Sequence, residues 1–175
     1  MIKFFFKNFT YTFGGEHFVQ IFGGPIGARL TMAIARLVMQ DWSENFSRIL
    51  KANKIGEHLR GIYVDDGRNI LDILKCGTRY IEDEKRFEYK DEWAQEDREK
   101  DIPEKKRTVI EISKLMNSIN PDLKFTTERE TDFDKQRLPT LSFELWSEKD
   151  GLRHSYFEKG MRSQVLTMQR SSQVK

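Results

Sequence analysis

Asp65 and Asp66 stand side by side in "GIYVDDGRNI", Gly61 to Ile70, after an apolar run and before a glycine. Two ionised carboxylates held close together repel each other, and a divalent cation that accepts oxygen ligands relieves the repulsion. Magnesium is commonly held by one or two carboxylates together with the phosphates of a substrate, so the pair suits phosphoryl chemistry. Successive side chains of a strand point to opposite faces, so adjacent aspartates cannot both enter one core, whereas at a hairpin tip both can project from the sheet. The same pair also reads as two acids solvating a tight turn, with no metal chemistry. A second stretch, "QIFGGPIGARLTMAIARLVM", sets Gly23, Gly24, Pro25 and Gly27 in front of a helical pattern. Glycine lets backbone approach a ligand closely, and a helix N-terminus offers free N–H groups and a positive dipole to an anion or a nucleic-acid strand. A tight strand-to-helix turn explains these glycines equally well without a ligand.

The elements that would position these groups can be read from periodicity. Leu30, Ile34, Leu37, Val38, Trp42, Phe46, Ile49 and Leu50 share one helical face and predict a helix over about 28–51, with Gly56 in the turn after it. Arg60 to Val64 and Asn69 to Leu74 read as strands joined by "DDGR", since Asp-Gly is a strong hairpin signal. Upstream, Phe9 to Phe22 reads as a hairpin turning at Gly14 and Gly15. From Ile81 to Arg107 the chain is a run of mixed charge with Phe87, Tyr89 and Trp93 as its large apolar groups, expected to be a solvated helix or a partly ordered insertion. After Pro103, Val109, Ile112, Leu115, Met116 and Ile119 take helical spacing, ended by Asn120 and Pro121. "LKFTTERE", "LPTLSFELW" and "LRHSYFEK" read as strands, the last two turned by "SEKDG". Helix, hairpin, helix and a run of strands predict an α+β fold, an antiparallel sheet with helices packed on one face.

Composition bounds the function. With 175 residues, 38% hydrophobic and 33% charged, and a mean hydropathy of −0.67, the chain suits a single water-soluble domain or a piece of one. Its apolar runs fall short of a bilayer span, so no membrane partner is expected. "MIKFFFKNF" is interrupted by Lys7 and Asn8 and lacks a cleavage site, so it reads as part of the fold rather than a leader. A lone Cys76 allows no internal disulfide, and His17, His58 and His154 are too scattered for zinc, which leaves carboxylates as the ligand set. The setting reads as intracellular, nuclear or cytoplasmic. Residues 1–60 hold eight bases against four acids, and the stretch after Tyr156 adds Lys159, Arg162, Arg170 and Lys175 against Glu158. Two basic ends around a mixed-charge middle could follow a phosphate backbone.

Taken together these stretches resemble a family, the reverse transcriptases of retroelements, which are RNA-directed DNA polymerases of right-hand architecture. "YVDD" at Tyr63 to Asp66 is similar to their catalytic box on the palm hairpin. "QIFGGPIGARLTMAIARLVM" resembles the upstream box, with Gln20, Gly24, Pro25 and Gly27 at the matching positions. "LKFTTERE", "LPTLSFELW" and "LRHSYFEK" resemble the palm strands that follow, of the Penelope-like or a related retrotransposon type. The likeness runs over most of the chain, roughly Phe9 to Arg162.

The resemblance implies a partial palm domain over 1–162, within which the charge run near 81–107 is expected as an insertion, and the last residues, 163–175, rich in Ser and Gln, are expected to be a mobile tail. It implies two Mg²⁺ ions that clamp the attack of a primer 3′-hydroxyl on a nucleotide α-phosphate. Asp65 would be the direct metal ligand and Asp66 the second. Tyr63 would pack near the primer end, and Gln20, Gly24, Pro25 and Gly27, with Arg29, would line the nucleotide and template side. The implied partners are an RNA template, a DNA primer and deoxynucleoside triphosphates. Ser142 stands where the family pattern has Asp, and Gly160 where a Pro would follow Lys159. No Asp occurs among residues 1–19, so the family's first catalytic Asp and its fingers are expected to be missing and this chain alone to be inactive. The rival expectation is a non-catalytic nucleic-acid-binding remnant of a retroelement.

Overall fold

A computed structural model describes residues 2–25, 27–63, 66–133, 135–141 and 143–156. In chain order the elements are α1 (Ile2–Lys7), β1 (Thr10–Phe13), β2 (Glu16–Val19), α2 (Arg29–Ala52), β3 (Glu57–Tyr63), β4 (Asp66–Leu71), β5 (Thr78–Ile81), β6 (Arg86–Tyr89), α3 (Asp91–Glu99), α4 (Glu104–Ile119), β7 (Leu138–Thr140), β8 (Phe143–Glu148) and β9 (Gly151–Tyr156). The fold is mixed α+β with antiparallel pairing throughout. The expected single sheet is not what the described strands form: they make three separate hairpins, β1–β2, β3–β4 and β5–β6, and one three-stranded sheet in the order β7-β8-β9. Contacts divide the chain into two compact units, Met1–Lys124 and Phe125–Lys175.

In the first unit the core is built where α2 meets α4. Trp42, Phe46, Ile49 and Leu50 recur at helical spacing along α2 and are buried, as are Ile112, Leu115 and Met116 of α4. Trp42 stacks on Phe46 with ring centroids 5.2 Å apart, and its Nε1–H donates to the Met116 carbonyl at 3.1 Å. That bond satisfies the one polar atom a buried indole carries. The expected apolar face of α2 is fully buried only over its C-terminal half; Leu30 and Ile34 are half-buried, and Leu37 and Val38, on the same predicted face, are exposed.

The charge run is the largest correction. Rather than one solvated helix it holds a hairpin, β5–β6, followed by α3 and the start of α4, and with its neighbours it contains the most deeply buried charges described. Asp97 and Glu111 are fully buried and Arg107 nearly so. Arg79 donates to both Asp97 oxygens, at 3.0 and 2.7 Å. Arg107 donates to Asp97 through Nε at 3.1 Å and through a second, shorter bond, and to Glu111 at 3.0 Å. Lys114 Nζ donates to both Glu111 oxygens, at 3.0 and 3.1 Å, and backbone N–H groups add to the set, Gly77 to Asp97 at 2.8 Å and Tyr80 to Glu111 at 2.9 Å. Burial pushes the Asp97 carboxyl up, but the Arg79 and Arg107 hydrogen bonds outweigh it and hold the group well below the usual carboxylate range. Buried charges persist only when paired and hydrogen-bonded in this way. The approach of α3 is close enough to require glycine at 77, where φ is +87° and a Cβ would lie 2.7 Å from that of Ala94 and 2.8 Å from the Lys90 carbonyl.

In the second unit "LPTLSFELW" does not run as one strand. It reverses after Thr140, with Leu141 at a φ of 53°, so that β7 pairs back on β8, while the turn between Glu148 and Gly151 joins β8 to β9 as "SEKDG" predicts. "LKFTTERE" alternates like a strand but finds no ladder among the described residues, and ends in a 3-10 turn at Glu130–Asp132. Alternation alone leaves backbone groups without partners, so a strand needs a neighbour as well as a pattern.

Candidate catalytic hairpin and glycine loop

The β3–β4 register sets which motif residues share a face. Leu59 pairs with Ile70, Arg60 with Asn69, Gly61 with Arg68, Ile62 with Gly67 and Tyr63 with Asp66. Directly opposed residues and residues two apart lie on one face, so Leu59, Ile70, Arg68, Tyr63 and Asp66 occupy one side and Arg60 the other. The Asp-Gly turn expected from the sequence does not form. The ladder continues to the Tyr63–Asp66 pair, so Asp66 and Gly67 are strand residues and the chain reverses before them. Val64 and Asp65 lie outside the described residues.

The Arg60 side is anchored to α2. Its guanidinium donates to the Ser43 carbonyl and Oγ, both at 2.6 Å, to the Glu57 carboxylate at 2.8 Å, and to Ser47 Oγ in a shorter bond. It also lies 5.6 Å from the Phe46 ring centroid. At the base of the hairpin Asp72 accepts from the Gly56 N–H at 2.6 Å and bonds the His58 ring at 2.8 Å. Those bonds, the histidine's first, hold the Asp72 carboxyl below its ordinary range. The other face is open to solvent: Tyr63 is 64% exposed, and Leu59 and Ile70 are exposed beside it.

Asp66 is therefore presented outward, beside Tyr63, as the metal reading needs. Its carboxylate is also engaged. Arg68, two residues on and on the same face, donates to Oδ1 at 2.7 Å and to Oδ2 at 3.1 Å, the bidentate geometry that suits a guanidinium to a carboxylate. Among the described residues no three His, Cys, Asp or Glu side chains converge as a cation site. One available carboxylate fits Mg²⁺ only as part of a set completed by further oxygens, such as substrate phosphates. Arg68 was not anticipated from the sequence, although its i, i+2 spacing from Asp66 in a strand is the signal that would have found it.

Gln20 closes the β1–β2 hairpin, with its N–H on the Phe9 carbonyl at 2.9 Å and its side-chain amide on the Phe22 carbonyl at 2.9 Å. Gly24 is half-buried, and a Cβ there would lie 2.5 Å from the Phe6 ring and 2.6 Å from Thr31 Oγ1. Its lack of a side chain is thus used to pack α1 against the start of α2, which needs no ligand. Pro25 is buried, Gly27 has open space where a side chain would sit, and Arg29 is exposed as the first residue of α2. The glycine loop does precede the helix as expected.

Glu57 bonds Ser47, and Arg60 bonds Ser43, so β3 runs back along α2 toward the helix N-terminus. No helix among the described residues is long and apolar enough to cross a membrane. No protein-family model, no curated protein and no solved structure matches this chain.

Proposed function

We propose that β3–β4 is the metal-binding hairpin of a retroelement-type reverse transcriptase palm, with an RNA template, a DNA primer and deoxynucleoside triphosphates as partners. The observation that carries the reading is the presentation of Asp66 and Tyr63 on the outward face of an antiparallel hairpin whose inward face is fixed to a helix led by a glycine loop. The reading rests on the hairpin and its helix rather than on a continuous sheet.

Asp65 and Asp66 would hold Mg²⁺, which when bound activates the attacking hydroxyl and neutralises the leaving phosphate. Tyr63, fully on the outward side, would pack against the primer end. Arg68 would neutralise Asp66 until substrate arrives, then turn to phosphate. Gln20, Gly24, Pro25, Gly27 and Arg29 would line the nucleotide and template side. The matched residues supply two of the family's three carboxylates, so this chain by itself is expected not to extend a primed RNA template.

The test is direct and does not need turnover. Mn²⁺ added to the labelled protein should broaden the backbone resonances of Tyr63, Asp66 and Gly67 selectively, and Asp65→Asn with Asp66→Asn should abolish that. Broadening spread over other acidic sites, or unchanged in the double variant, would sink the metal hairpin. The bidentate Arg68–Asp66 pair favours a second reading, a nucleic-acid-binding protein without metal chemistry. Its binding to RNA would fall steeply with salt and be indifferent to both aspartates.

A further inference from the structure

The β1–β2 hairpin has no core-facing side: all eight of its residues are exposed. Tyr11 pairs with Phe18 across the ladder and Phe13 with Glu16, so Tyr11, Phe13 and Phe18 share one face. Tyr11 and Phe18 lie nearly parallel, with centroids 5.5 Å apart and an interplanar angle of 20°. Phe13 is 76% exposed at the hairpin tip. The opposite face carries no aromatic ring but Thr10, Val19, Thr12 and His17, with Thr12 Oγ1 on the His17 ring at 3.1 Å. The hairpin turns at Gly14–Gly15, both with positive φ, at 63° and 87°, which holds the rings in register. Two-stranded hairpins are marginal in water when nothing covers them, and this one spends its aromatic residues on an open face.

Charge says what would cover it. Residues 1–36 carry Lys3, Lys7, Arg29 and Arg36 against Glu16 alone, and the exposed Lys3 and Lys7 lie on α1, which leads straight into β1. A second copy of the chain would bring the same positive charge against itself. A lipid surface would be served as well by aliphatic side chains as by flat rings. A single-stranded nucleic acid offers free base faces for the rings and phosphates for the lysines, the pairing that sequence-tolerant single-strand binders use.

We propose that the Tyr11–Phe13–Phe18 face is a stacking platform for single-stranded RNA or DNA, with Lys3 and Lys7 on its backbone. It rests on the nucleic-acid reading above for the class of partner but not on metal chemistry. The test is anisotropy of a fluorescent 12-nucleotide oligo(U) titrated with the full chain, against a duplex of equal length. Single strand should bind more tightly than duplex, Tyr11→Ser and Phe18→Ser should each weaken it about fivefold or more, and Tyr11→Trp and Phe18→Trp should retain it. The side chains are exposed, so unchanged far-UV circular dichroism in each variant is the expected folding control. Serine variants that bind like the parent chain would overturn the platform, as would equal binding of duplex. So would a wild-type chain that binds anionic vesicles or itself but no oligonucleotide. Retained oligo(U) binding without hairpin-selective Mn²⁺ broadening would end the polymerase reading alone, and the converse would end the platform alone.

Discussion

The charged block from Thr78 to Ile119 and the motif-bearing hairpin from Glu57 to Leu71 invert the usual relation between polarity and burial. In the first, Asp97, Arg107 and Glu111 are sealed among Ala94, Ile112 and Leu115. In the second, Leu59, Ile62, Tyr63 and Ile70 are open to solvent. A charge that finds complete hydrogen-bonding partners can serve as core, and an apolar residue left bare marks a surface with something still to bind. Stability and proposed function are thus carried by different parts of the first unit, which substitutions can separate.

The largest expected effect is at Arg107. Arg107→Met strips Asp97 and Glu111 of a shared cation while both stay buried, leaving Asp97 to Arg79 and Glu111 to Lys114, and should cost about 3 kcal/mol, read as a lower denaturant midpoint by circular dichroism. Gly77→Ala comes next. It forces a Cβ against α3 at a backbone angle that L-residues rarely adopt, and a loss of about 2 kcal/mol is expected in the same assay. Trp42→Phe removes the indole bond to Met116 and should cost about 1–2 kcal/mol. Acid should act on the charged block through Asp97. Its folded carboxyl titrates below the unfolded one, so its contribution is complete above the unfolded value near about pH 4 and drains away as pH falls further. A pH series of denaturant midpoints should show that slope in the parent chain, and a shallower one in Asp97→Asn, which starts less stable. At the other extreme, Asp66→Asn and Tyr63→Phe should move stability by less than about 0.5 kcal/mol. A large loss from either would make the hairpin structural and erase the contrast.

Local signals served the sequence reading well. The α2 boundaries fall within a residue of the helix expected from Leu30, Trp42, Phe46 and Leu50, and the Gly14–Gly15 turn and the α4 terminus at Asn120 form as read. Partnerships between distant residues did not show. Arg79, Asp97, Arg107 and Glu111 lie as far as 32 residues apart, and only the Arg107–Glu111 spacing of i, i+4 hinted at pairing. The rest looked like solvated charge because a linear count carries no information about who faces whom. The hairpin register was misjudged by taking Asp-Gly as the turn. At the candidate site the outward placement of Asp66 was legible from its motif, while its engagement by Arg68 needed the register first.

The half-buried helix has a mechanical consequence. Trp42 and Phe46 fix α2 against α4, and the stretch from Arg29 to Trp42 sets the glycine loop, with α1 packed beside it, about 20 Å from that joint. Such a lever arm multiplies small rotations: tilting by about 5° at the Trp42 pivot sweeps Arg29 through about 2 Å. Misplacement on the scale of about 1 Å is enough to change a catalytic rate by about a hundredfold. The stiffness of a buried aromatic joint would then tune the reach of a loop that never touches it.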